Sequence, residues 1–138
     1  MSTVPESARV PSPESERARV ALCEPDALLG ALLGEWLQRA DFEPVRDVAG
    51  APATARVALV VADVPAPRLG GAARIATLRQ RFPGAKVLAI SGQFMAGLNG
   101  ATTAARVLGA DAVLAKPFSS GLFIEVVRAM VASAGIGG

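Results

Sequence analysis

The chain has 138 residues, a formal net charge of +2 and 51% apolar residues, which is room for one domain with a core large enough to fold unaided. Its weak, mostly dispersed charge gives no argument for nucleic acid, which usually wants a clustered basic face, and the absence of histidine removes imidazole catalysis and most zinc sites. One cysteine, Cys23, excludes an internal disulfide and suits a reducing compartment, so the expected location is cytoplasmic. No apolar run approaches the length of a membrane span, and the N-terminus lacks the apolar stretch of a secretory signal.

Residues 1–17 are dominated by proline, serine and glutamate. Apolar residues are too sparse there to offset the entropy of ordering, so a disordered tail is expected. The domain proper is expected over residues 18–133, with a flexible Gly-rich tail over 134–138. The first strand reads Arg19-Val20-Ala21-Leu22-Cys23, and Glu24-Pro25-Asp26 follows it. Asp26 suits the cap of the next helix, because its side chain can accept from free first-turn amides. That helix runs to about Ala40, with Ala27, Leu28, Ala31, Leu32 and Trp36 expected on its apolar face and Trp36 as a core anchor. Gly30 and Gly34 lower its helix propensity. Phe42-Glu43-Pro44-Val45 reads as a short strand near an edge, because proline withholds a donor. Residues 47–56 have room for a turn or two of helix at most.

The central stretch is Val57-Ala58-Leu59-Val60-Val61-Ala62-Asp63. Six apolar residues without a polar break fit a strand covered on both faces, as in a parallel sheet. Pro65 and Pro67 end it, which leaves Asp63 at its carboxyl end. A helix follows over residues 71–81, with Ala72, Ile75 and Leu78 inward. Arg74, Arg79, Arg81 and Lys86 are expected on a solvated face. The next strand covers residues 86–90 and ends at Ser91-Gly92. Residues 93–100 contain Gly97, Asn99 and Gly100 and are expected to form a mobile loop. Residues 102–108 form a short helix closed by Gly109. The last strand covers residues 111–115 and runs into Lys116-Pro117-Phe118. Ser119 or Ser120 then caps a final helix with Leu122, Phe123, Val126, Val127 and Met130 on one face.

Five strand–helix repeats make a doubly wound α/β fold with a five-stranded parallel sheet. Right-handed crossovers put all strand carboxyl ends on one edge, where sites are built in such sheets. Glu24 and Asp26, Asp63, Ser91 and Lys116 each follow a different strand there. Acids, a hydroxyl and an amine therefore converge. No Gly-rich phosphate fingerprint follows the first strand, which argues against a nucleotide binder or a flavodoxin-like enzyme.

These residues resemble the response regulator receiver domain of two-component signalling. The segments that carry the resemblance are Val-Val-Ala-Asp63 with Pro67 and Gly71, Leu-Ala-Ile-Ser91-Gly92, and most specifically Leu-Gly-Ala-Asp-Ala-Val-Leu-Ala-Lys116-Pro117-Phe118. The resemblance implies that Asp63 accepts a phosphoryl group from a partner's phosphohistidine. It implies that Ser91 and Lys116 bind the phosphoryl oxygens, and that the bond before Pro117 is cis. Mg²⁺ is implied as cofactor, held by Glu24, Asp63 and the backbone carbonyl of Pro65, with Asp26 as a further candidate ligand. The implied partners are a histidine kinase or histidine phosphotransfer protein and a downstream protein, with a second copy of the chain as another candidate. With only about twenty residues flanking the domain, output is expected through protein contact.

Three departures from the family pattern concern the site itself. The second acid usual after the first strand is Pro25, which has no carboxylate. The aromatic switch residue usual three positions before the lysine is Val113. The interval from Ser91 to Lys116 is longer and richer in glycine than usual. Two readings follow: a stand-alone receiver that accepts a phosphoryl group on Asp63, or a pseudo-receiver binding module of the same fold with weak or no phosphorylation. Asp63, Ser91 and Lys116 favour the first, and Pro25 and Val113 the second.

Overall fold

The computed structural model describes residues 17–46 and 56–137. Of the tail expected over residues 1–17 and the turn expected over 47–56, residues 1–16 and 47–55 lie outside them. In chain order the elements are β1 (Arg19–Cys23), α1 (Ala27–Arg39), β2 (Glu43–Arg46), β3 (Leu59–Asp63), α2 (Ala72–Arg81), β4 (Lys86–Ser91), β5 (Asn99–Gly100), α3 (Thr103–Leu108), β6 (Ala112–Ala115) and α4 (Ser120–Gly137). The sheet order is β2-β1-β3-β4-β6-β5. Five of these strands are the parallel ones expected. The sixth, β5, pairs antiparallel with the edge of β6, Asn99 opposite Leu114 and Gly100 opposite Val113. The segment 93–100 is therefore not a free loop along its whole length. Its last two residues cover an otherwise open strand edge, and Phe94 and Leu98 pack against the core.

Alternation along each strand divides the core into two layers. Val20, Leu22, Leu59, Val61, Leu88, Ile90 and Leu114 point to the side of α1 and α4, where Leu33, Leu37, Phe123 and Val127 meet them. Ala21, Val60, Ala62, Val87, Ala89 and Val113 point to the side of α2 and α3, where Ile75, Leu78, Ala105 and Leu108 meet them. Both faces are buried, so the strand sequences have no polar break. Each fully buried Leu, Ile or Phe contributes about 1.5–3 kcal/mol over its exposed state.

The buried stripe of α1 is Gly30, Leu33 and Leu37, not the stripe through Leu28 and Leu32. Leu28 is 81% exposed and Leu32 40%. Leucines at 28, 29, 32, 33 and 37 form two overlapping stripes, and the glycine in one of them hides it from a hydropathy reading. A Cβ on Gly30 would come within 2.6 Å of the Arg46 guanidinium, the tip of an exposed, flexible side chain that can move aside. Trp36 is half-buried and closes an aromatic cluster, 6.0 Å from Phe123 and 6.5 Å from Phe118 between ring centroids.

Helix starts are set by short side chains. Asp26 caps α1 and Thr102 caps α3, each accepting from first-turn amides. Ser119 Oγ accepts from the Leu122 amide at the start of α4. Gly109 adopts a left-handed conformation after α3. Helix α2 is preceded by a wide turn, Pro67–Gly71, in which Gly70 has φ of 88°. A Cβ on Gly71 would lie 2.8 Å from Leu108 Cδ2 and 3.1 Å from Val64 Cγ1. Gly71 thus lets α2 start tight against α3 and against the strand end that carries Asp63. No helix among the described residues is long and apolar enough to cross a membrane.

Candidate functional site

The sheet order reverses direction between β1 and β3, so a crevice opens at their carboxyl ends. Glu24 follows β1 and Asp63 ends β3, one on each side of that crevice. Both are buried, Glu24 at 6% and Asp63 at 7% exposure. Two buried carboxylates repel each other and lose hydration unless a cation serves both. Lys116 does so: its Nζ donates to Asp63 Oδ1 at 2.7 Å and to Glu24 Oε1 at 3.0 Å. The lysine arrives from the end of β6. Its amide donates to Ser91 O at 2.9 Å, and the Lys116–Pro117 bond is cis.

Burial works to lower the pKa of Lys116, but its hydrogen bonds to Asp63 and Glu24 and their charges outweigh burial and hold it above the ordinary lysine value of 10.5. A lysine with a raised folded-state pKa stabilises the fold fully below its unfolded pKa. That stabilisation is lost as pH rises through the folded pKa. The urea midpoint of wild type should therefore exceed that of Lys116→Met by a constant margin from about pH 7 to about pH 10, and the margin should shrink above that. A margin that persists unchanged beyond about pH 11 would contradict the pairing.

Ser91 is fully buried at the end of β4, and its hydroxyl accepts from the Gln93 amide at 3.0 Å. That bond anchors the start of the following loop. Val113 is fully buried in the α2–α3 layer, opposite Ala89 and Gly100, and its small side chain has no polar end to swing outward. Asp26 Oδ1 accepts from the amides of Leu28 and Leu29 at 2.9 and 3.0 Å, so its carboxylate serves the helix. Glu24 Oε2 in turn accepts from the Asp26 amide at 3.0 Å.

The donor set fits Mg²⁺ at its lower limit. Mg²⁺ keeps several waters and takes one or two carboxylates from protein. Glu24 and Asp63 supply two, and Pro65 lies two residues beyond Asp63. Among the described residues no group of three or more His, Cys, Asp or Glu side chains gathers. Pro25 contributes no carboxylate, and Lys116 holds both acids that are present.

Of the basic residues expected on a solvated face, Arg79 is exposed, while Arg74 turns inward to the strand ends. Arg74 Nε donates to Asp63 O at 2.7 Å and its Nη2 to Cys23 O at 3.2 Å. Arg79 donates to Gly109 O and pairs with Asp111, and the Arg81 guanidinium lies 5.5 Å from the Phe82 ring centre. Sequence reasoning missed Arg74. A signal existed: the first turn of α2 holds this cation and no acid, against the helix dipole.

No family model matches the chain, and no curated protein matches it in sequence. Solved structures do match. A CheY-like response regulator receiver domain protein from Methanospirillum hungatei superposes with a TM-score of 0.70 at 17% identity, over 88% of this chain and 99% of the other. A response regulator receiver protein from Burkholderia phymatum does so with 0.64 at 23% identity, over 84% and 96%. A response regulator from Burkholderia pseudomallei, carrying a phosphorylated aspartic acid, a calcium ion and citrate, matches with 0.63 at 17% identity, over 87% and 72%. The chain has the CheY-like receiver fold, a mostly parallel sheet with helices on both faces.

Proposed function

We propose that this protein is a receiver that accepts a phosphoryl group on Asp63 from a partner phosphohistidine and signals by protein contact. The observation that carries this reading is the Lys116 ammonium on the Asp63 carboxylate, 2.7 Å apart at the switch point of the sheet. In this reading an Asp63 oxygen attacks phosphorus in line, the bond to the imidazole nitrogen breaks, and an acyl phosphate forms. Lys116 stays protonated and moves its contact from carboxylate to phosphoryl oxygen. Ser91 donates its hydroxyl to the phosphoryl group and draws the loop at Gln93 inward. Glu24, Asp63 and the Pro65 carbonyl would hold Mg²⁺, whose charge would offset that of the phosphoryl oxygens. A histidine kinase or histidine phosphotransfer protein would be the donor. Incubation with Mg²⁺ and a small phosphodonor, followed by intact mass, tests the reading.

Pro25 and the engagement of Lys116 with Glu24 as well as Asp63 favour a second reading, a binding module of the same fold with little phosphorylation. The two readings share one prediction about the metal. Pro25→Asp adds a carboxylate beside the acid pair. Mg²⁺ affinity should rise by about tenfold or more, roughly 1.4 kcal/mol. The melting temperature in chelator should fall, because a third acid crowds two that are already buried. Unchanged Mg²⁺ affinity on a folded variant would reject residue 25 as a neighbour of the metal.

A further inference from the structure

We propose that Arg74 is a positioning residue for the acid pair: its guanidinium clamps the ends of β1 and β3, so that Glu24 and Asp63 are held at one separation across the crevice. The inference rests on the receiver reading only for its consequence in phosphoryl transfer. The clamp itself stands on the contacts. Nε donates to the carbonyl of Asp63 and Nη2 to the carbonyl of Cys23. One peptide directly follows the Asp63 side chain and the other directly precedes Glu24. A planar fork with fixed donor directions spans two such carbonyls, which a lysine ammonium cannot reproduce.

The position of this tie along the edge gives it its weight. The carboxyl edge is held elsewhere by backbone bonds. Val64 N donates to Ile90 O and joins β3 to β4, and Lys116 N donates to Ser91 O and joins β4 to β6. The register of β1 on β3 stops at Cys23 opposite Ala62. The register does not extend beyond that pair, and Arg74 donates to the last carbonyl of each strand. Its place in the first turn of α2 disfavours a cation, so the helix gains nothing from it there. Without Arg74 two carbonyls of buried residues lose a charged donor, which costs some stability, while β1 and β3 stay paired as far as Cys23 and Ala62. The expected loss is therefore in the spacing of the acids as well as in stability, and the two are read separately.

The test uses Arg74→Met, which keeps the stem and removes the fork, and Arg74→Lys, which keeps charge and stem. Arg79→Met, which breaks contacts at Gly109 and Asp111 away from the crevice, is the stability control. Metal-free protein is read first, by the carboxyl-carbon NMR resonances of Glu24 and Asp63. Both Arg74 variants should shift them and Arg79→Met should not. Mg²⁺ titration well below each melting temperature should show affinity lowered about tenfold in both Arg74 variants. Misplacement of about 1 Å costs up to ~10²-fold in rate, so labelling by a small phosphodonor should slow by roughly ten- to a hundredfold. Unmoved resonances together with unchanged Mg²⁺ affinity overturn the clamp, whatever the melting temperatures do. Wild-type values restored by Arg74→Lys also overturn it, since charge alone would then suffice. If wild type takes no phosphoryl group, the receiver reading fails, and the resonances and the Mg²⁺ titration still decide the clamp.

Discussion

Lys116→Met should lower the melting temperature in chelator by roughly 10 °C, and Mg²⁺ should return much of the loss. The side chain of Lys116 is 25% exposed, while those of Glu24 and Asp63 are 2% and 10% exposed. Removing one partner of a buried pair costs about 3–5 kcal/mol, because the other charge stays buried and unpaired. Partial exposure of the lysine discounts this to about 2–3 kcal/mol, which for a domain of this size is roughly 10 °C. Methionine keeps the stem and fills similar space, so little of the loss comes from packing. The freed carboxylates then form a dianionic site without an internal cation. A ligand present at a hundredfold excess over its Kd adds about 2.7 kcal/mol, comparable to the loss. Wild type should gain less from the same Mg²⁺, because its ammonium competes for both acids. A melting temperature within about 2 °C of wild type, or a variant indifferent to Mg²⁺, would contradict a lysine that neutralises this pair.

The strands were legible in the sequence because both faces of a parallel sheet are covered, which leaves unbroken apolar runs. Asp63, Ser91 and Lys116 stood out because each follows such a run, and the fold then brings their strand ends to one edge. Helix α1 was legible as a helix but not in its orientation, since its leucines offer two stripes and Gly30 conceals the buried one. Strand β5 has no signature of its own. Asn99-Gly100 is polar and small, and it is a strand because the edge of β6 beside it has unpaired backbone groups. Arg74 was legible as a cation out of place in a first helix turn, but not for what it holds. Its partners are main-chain carbonyls at residues 23 and 63, and no side-chain pattern reports a backbone acceptor. Glu24 and Asp26 were equally placed as acids after β1. The structure separates them: Asp26 accepts from two helix amides and Glu24 from Lys116.

Asp63→Asn should abolish covalent phosphorylation outright. The substitution preserves size and leaves one oxygen able to accept from Lys116. It removes the anionic oxygen that attacks phosphorus, and an amide oxygen is a poor nucleophile toward phosphate. The expected loss is all or none, far beyond the fractional slowing expected of the Arg74 variants. The fold should survive, because no buried charge is added and the contact from Lys116 shifts toward Glu24. Loss of labelling with the fold intact therefore reports chemistry and not unfolding.

Intact mass after incubation with Mg²⁺ and a small phosphodonor is the measurement closest to the central claim. One phosphoryl group on wild type and none on Asp63→Asn, with both proteins folded by circular dichroism, is the predicted result. A phosphoryl group that persists in Asp63→Asn would contradict the assignment of the nucleophile, and a folded wild type left unlabelled by every donor would contradict phosphoryl acceptance itself.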